Sequence, residues 1–145
     1  MRLQLALNVR NLDDAVSYYQ KLFGTAPHKR RSGYANFAID QPPLKLVLFE
    51  NPEAGERLNH LGVEVFDDAE VDAAAARLSK EGILDRVQAE TICCHAAQNK
   101  IWSKENQGLS WEWYRILDDS LSAATNSEGG VCCDQEPGAT ETCCT

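Results

Sequence analysis

Long apolar runs are missing from this sequence. None approaches the roughly 18 residues of a membrane-spanning helix, and no apolar stretch follows the first residues, so neither a membrane span nor a secretory leader is expected. Positive charge is scarce too. The 14 Lys and Arg against 22 Asp and Glu leave a formal net charge of -8, which repels a phosphate backbone. The one basic cluster, Lys29-Arg30-Arg31, is too short to reverse that, so no nucleic-acid partner is expected. Isolated cysteines are absent, as is the C-x2-C spacing that structural zinc sites prefer, which leaves a zinc site or plain surface thiols as the weaker reading.

What the chain does have is six cysteines in three adjacent doublets: Cys93-Cys94, Cys132-Cys133 and Cys143-Cys144. Random placement would give about 0.2 such pairs, so the doublet itself has a use. Neighbouring Cα atoms lie ~3.8 Å apart, too close for an unstrained disulfide. Two soft sulfurs side by side instead suit a thiophilic ion: trivalent arsenic or antimony, cadmium, mercury or cuprous copper. Without a leader, the expected setting is a reducing cytoplasm with free thiols.

The 145 residues, 43% of them hydrophobic, suffice for one domain with its own core. From Asp118 onward bulky apolar residues nearly vanish, so residues 118–145 are expected to form a flexible tail carrying Cys132, Cys133, Cys143 and Cys144. Residues 1–117 repeat internally. Gln4-Leu5-Ala6-Leu7-Asn8-Val9 aligns with His60-Leu61-Gly62-Val63-Glu64-Val65 at an offset of 56, and each segment alternates like a strand. Helical patterns follow both, capped by Asn11 and by Asp67 or Asp68 and stopped near Gly24 and Gly82. Three extended stretches come next in each half, near 28–32, 34–39 and 44–50, then near 86–91, 98–104 and 110–116. The expected fold class is therefore α+β, two βαβββ modules of about 1–52 and 56–117 whose sheets enclose a concave pocket. The modules pair either within one chain or between the chains of a homodimer.

Strand parity marks a candidate metal site. Gln4, Ala6 and Asn8 share one face, His60, Gly62 and Glu64 the equivalent face, and Glu112 and Tyr114 one face of the last strand. Gln4, His60 and Glu112 would supply an amide oxygen, an imidazole nitrogen and a carboxylate with coordination positions to spare, comparable to the facial triad of non-haem ferrous enzymes. His60 as a hydrogen-bonded strand residue and Glu112 as an exposed one are the plainer alternatives. Trp111 and Trp113 fall opposite Glu112 and are expected in the core, and Trp102 remains a candidate pocket residue.

Over residues 2–117 the chain resembles the vicinal oxygen chelate superfamily, also called the glyoxalase and bleomycin-resistance fold, with two βαβββ modules around a cupped mixed sheet. Leu3-Gln4-Leu5-Ala6-Leu7-Asn8-Val9, Gly33-Tyr34-Ala35-Asn36-Phe37-Ala38-Ile39, Pro42-Pro43-Leu44-Lys45-Leu46-Val47-Leu48, Asn59-His60-Leu61-Gly62-Val63-Glu64-Val65 and Trp111-Glu112-Trp113-Tyr114 are similar to a narrower group, the organoarsenical carbon-arsenic lyases and cadmium-induced proteins. That resemblance implies a ferrous dioxygenase taking a trivalent organoarsenical and dioxygen and releasing arsenite. It implies Gln4, His60 and Glu112 as ligands of Fe(II) or another divalent metal, and Cys93 and Cys94 as the arsenic-binding pair. The tail doublets would capture substrate, and His95, beside the thiols, is expected to be a loop residue. A non-catalytic cadmium- or arsenite-binding resistance protein is the alternative. A lactoylglutathione-type isomerase or drug-binding module fits less well, since neither requires Gln4 or the doublet.

Overall fold

A computed structural model describes residues 1–93 and 96–119, the side chains of Ile92 and Cys93 excepted. Cys94, His95 and the four cysteines after residue 119 lie outside the described residues. The order is β1 (Arg2–Val9), α1 (Leu12–Phe23), β2 (Lys29–Arg31), β3 (Tyr34–Ile39), β4 (Leu44–Glu50), β5 (Leu58–Glu64), α2 (Asp68–Lys80), β6 (Arg86–Cys93), β7 (Ala96–Lys104) and β8 (Ser110–Asp118). This is βαβββ twice.

Local chemistry sets the helix limits. The Asn11 side chain accepts from the Asp14 amide at 2.9 Å, Asp67 accepts from Ala69 at 3.0 Å, and Gly24 ends α1 in the left-handed region that a side chain would resist. Each helix covers its own module. Val9, Leu12, Val16, Phe37, Leu46 and Leu48 form one core under α1, while Val65, Val71, Ala74, Leu78 and Ile101 form another under α2. A buried side chain of this size contributes roughly 1.5–3 kcal/mol, so each module has a core of its own.

All eight strands join one mixed sheet in the order β2-β3-β4-β1-β5-β8-β7-β6. The modules meet within this chain at a central antiparallel seam, where Gln4 lies opposite Gly62 and Ala6 opposite His60. Inside each module the first and last strands pair in parallel, Ala6 beside Val47 and Gly62 beside Glu112. Both helices lie on one side of the sheet, which leaves the other side, with Gln4, His60 and Glu112, free to form the cup.

Two elements run longer than expected. β6 and β7 stay paired as far as Cys93 and Ala96, so Cys93 ends a strand instead of standing in the connecting loop. β8 continues to Asp118 because Ile116 and Asp118 still pair with Gln98 and Ala97. Asp119 then grips the other module, its carboxylate within 2.5 Å of the Lys29 ammonium and 2.8 Å of the His28 ring. These hydrogen bonds outweigh partial burial and hold its carboxyl below the usual carboxylate range.

Candidate functional site

The three strands at the middle of the sheet, β1, β5 and β8, each send one donor side chain into the cup. Gln4, His60 and Glu112 are 4, 6 and 4% exposed, too buried for the exposed-strand reading of Glu112. Their polar atoms converge. Gln4 Nε2 lies 3.0 Å from His60 Nε2 and 2.5 Å from Glu112 Oε1, and those two are 3.2 Å apart. Gly62 makes the convergence possible, since a Cβ there would sit 2.8 Å from Glu112 Cγ and 3.3 Å from Gln4 Nε2. The glycine is required here for close approach.

A chain of amides fixes the histidine. Asn8 Nδ2 donates to the Glu56 carbonyl at 3.0 Å, which sets the orientation of Asn8 because a carbonyl only accepts. Asn8 Oδ1 then accepts from Asn59 Nδ2 at 3.0 Å, leaving Asn59 Oδ1 to face His60 Nδ1 at 2.6 Å. An oxygen there requires a proton on Nδ1. In its neutral form His60 then presents the Nε2 lone pair to the cup, the tautomer a metal-bound imidazole needs.

With Nε2 and a carboxylate oxygen facing each other as two acceptors, something positive has to lie between them. As the side chains stand, the Gln4 amide group donates to both. Amide oxygen and nitrogen are nearly isosteric, so reversing the Gln4 amide places Oε1 at the same point and turns all three groups into lone-pair donors. Tyr114, whose hydroxyl donates to Gln4 Oε1 at 2.5 Å, would then accept from Nε2. Separations of 2.5, 3.0 and 3.2 Å let three such donors share one divalent ion. The residues fit a metal. Among the described residues no cluster of three His, Cys, Asp or Glu side chains exists, and this site reaches three donors only by counting the amide.

The surroundings are charged on one side and apolar on the other. Lys100 Nζ is 3.7 Å from Glu112 Oε2, partly balancing its charge, and Trp102 stands edge-to-face with the His60 ring at 5.3 Å. Trp102 is thus a cup residue. Trp113 lies on the opposite face, against the α2 core with Arg77 over its ring, as its parity required. Tyr34, Val47 and Phe49 form the other wall, with Phe49 6.4 Å from the His60 ring. Asn36 donates to the Tyr34 hydroxyl at 2.8 Å and so orients that ring.

A second polar group lies deeper along the same face. Glu64 is bound by Arg2 and lies 3.4 Å from Lys45 Nζ. Burial lowers the Lys45 pKa despite the attraction of Glu64. Tyr114 is pushed well above its ordinary value, first by burial and then by the charges of Glu64 and Glu112, so at neutral pH it remains a phenol with a proton to donate.

Cys93 is not in this cluster. The register sets it beside Ala96, four residues along β7 from Lys100 and therefore about 13 Å further along the sheet. Between them β6 carries a bulge, with a register shift between Gln88 and Thr91 and a positive φ at Glu90. Sequence reasoning missed Lys100, the Asn8–Asn59 relay and the apolar wall. Lys100 shares strand parity with Gln98 and Trp102, a signal that was available; Asn59 points away from the cup by parity and gave none.

Comparison with known proteins agrees with this architecture. The model of the Glyoxalase/Bleomycin resistance protein/Dioxygenase superfamily matches residues 3–108. The chain is 46% identical over 141 residues to the cadmium-induced protein CadI of Mycobacterium tuberculosis, covering 92% of this chain and 93% of that protein. It is 45% identical over 139 residues to a trivalent organoarsenical cleaving enzyme of Thermomonospora curvata, covering 95% and 92%. Among solved structures, a catechol 2,3-dioxygenase aligns with a TM-score of 0.62 at 20% identity over 82% of this chain and 41% of that one, a likeness of fold.

Proposed function

Since the chain belongs to the glyoxalase/bleomycin resistance protein/dioxygenase superfamily, we propose that it is an Fe(II)-dependent enzyme that cleaves the carbon-arsenic bond of trivalent organoarsenicals in the cytoplasm. The observation that carries the reading is the convergence of Gln4, Glu112 and a tautomer-fixed His60 at one point of the cup. Similarity to the organoarsenical cleaving enzyme gives that point a substrate class.

Gln4, His60 and Glu112 hold the ion. Bound ferrous iron supplies the one-electron chemistry that dioxygen requires. The thiols of Cys93 and Cys94 each replace a hydroxide on arsenic, forming two As-S bonds and releasing two waters. With arsenic anchored by the doublet, turnover requires the carbon-arsenic bond to be brought beside the ion. Anchoring arsenic by sulfur leaves the organic group free to vary. Lys100 holds Glu112 in place, and the Tyr114 oxygen, accepting from Nε2 of the reversed Gln4 amide, keeps Oε1 turned toward the ion. The doublets Cys132-Cys133 and Cys143-Cys144 capture arsenicals and pass them on.

The test is to load the protein anaerobically with iron, add methylarsenite and admit oxygen. Arsenite is expected as product, and Cys93→Ser or Cys94→Ser should abolish it while iron stays bound. Full activity in both variants would sink the mechanism. The similarity to a cadmium-induced protein supports a second reading, a non-catalytic cadmium- or arsenite-binding resistance protein. Metalloid binding by the wild type with no arsenite release from methylarsenite would establish that one.

A further inference from the structure

The internal repeat extends to the walls of the cup. The offset of 56 that relates Gln4 to His60 also relates Ala6 to Gly62. In module one Ala6 pairs in parallel with Val47, and in module two Gly62 pairs in parallel with Glu112. Val47 therefore occupies the place that Glu112 occupies in its own module. A symmetric cup would hold four donors, and this one has three and a buried valine.

That valine is not alone. Ala6, Tyr34, Val47 and Phe49 form an apolar cluster on the cup face, separate from the two helix-covered cores, with Tyr34 and Phe49 5.6 Å apart. The matching wall of module two carries Glu112, Tyr114 and Lys100. The cup thus has a charged side and an apolar aromatic side meeting at His60.

We propose that the wall of Tyr34, Val47 and Phe49 receives the organic substituent of the arsenical and sets which substituents are accepted, a role that rests on the function proposed above. The cavity before this wall has a volume of about 30 Å³ as it stands, so an aryl group stacks against Phe49 and Tyr34 only as the cup widens, and a methyl group meets only part of this surface. Inorganic arsenite has nothing to place there. Loss of the carbon group therefore removes the contact that favours substrate over product, which assists product release.

Methylarsenite and 4-fluorophenylarsenite distinguish the outcomes, using the full chain loaded with iron. Phe49→Ala, which removes the ring, and Val47→Phe, which fills the space, should each lower the aryl-to-methyl ratio of kcat/KM at least tenfold. Independently of turnover, the fluorine resonance of the anaerobic complex should move in both variants, because the probe ring lies in the field of Phe49. An unchanged ratio in both variants, or a resonance indifferent to both, overturns the assignment. Binding of both arsenicals without arsenite release refutes the lyase reading alone, and the fluorine resonance then still decides the role of the wall. If the wild type binds neither arsenical, both ideas fail. Retention of iron affinity in the two variants shows that they are folded.

Discussion

Module one gives the cup one candidate ligand (Gln4), the buried Lys45 and an apolar wall, whereas module two gives it His60, Glu112, Lys100 and Tyr114. The order of elements is the same in both, and the seam is centred on Leu5 opposite Leu61, so the equivalent residues Gln4 and His60 lie diagonally across it. Duplication therefore explains the shape of the cup, and divergence of one wall sets a carboxylate on one side against an apolar residue on the other. Three positions where the modules differ, and one contact that joins them, show which differences matter.

The largest effect is expected where module two is made to resemble module one at its closest approach. Gly62→Ala copies Ala6 into a space that Glu112 Cγ already fills at 2.8 Å, so overpacking should cost about 1–3 kcal/mol in denaturant unfolding and part the donors enough to weaken metal binding. Asn59→Leu copies Leu3 and removes the acceptor for His60 Nδ1. Metal affinity should fall about 10- to 100-fold, as for other groups that orient a ligating histidine, while Asn59→Asp, which still accepts, should keep most of it. Anaerobic metal titration measures both.

The converse change makes module one resemble module two. Val47→Glu supplies the missing fourth donor, so metal affinity should rise about tenfold and arsenite release should fall as the open side closes. Looser binding would show that Val47 is not the counterpart of Glu112. The smallest effect concerns the contact of Asp119 with His28 and Lys29. Its carboxyl has a folded pKa below the unfolded value of 3.8, so its stabilisation is present above about pH 4 and fades as pH falls further. The group is a third exposed and screened, and Asp119→Ala should cost less than about 1 kcal/mol at pH 7, with the gap to wild type narrowing toward pH 3.

The sequence made the duplicated fold legible because β1 and β5 alternate cleanly and are followed by helices with recognisable caps. Gln4, His60 and Glu112 were legible for the same reason, since parity put each on the cup face. β4 is different: Leu44-Lys45-Leu46-Val47-Leu48-Phe49 is apolar on both faces apart from the lysine, so alternation could not reveal that Val47 and Phe49 enter the cup. The Asn8–Asn59–His60 relay was illegible for another reason. It joins residues 51 apart and depends on which way two amides point, which only packing determines. The place of Cys93 turned on how far the β6–β7 ladder extends, and local propensity settles that poorly.

The seam between β1 and β5 also bears on how the protein unfolds. Its partners lie about 56 residues apart in the chain, so the pairing pays a closure entropy that neither module's own core repays directly. An ion held by Gln4 on one side and His60 and Glu112 on the other would bind only when the seam is closed. At a hundredfold excess over its Kd it would add about 2.7 kcal/mol to the closed form. The ion would then act as a reversible crosslink between two foldons. Without it, amides of β1 and β5 should exchange with solvent before those beneath the helices, and with it the two halves should open together.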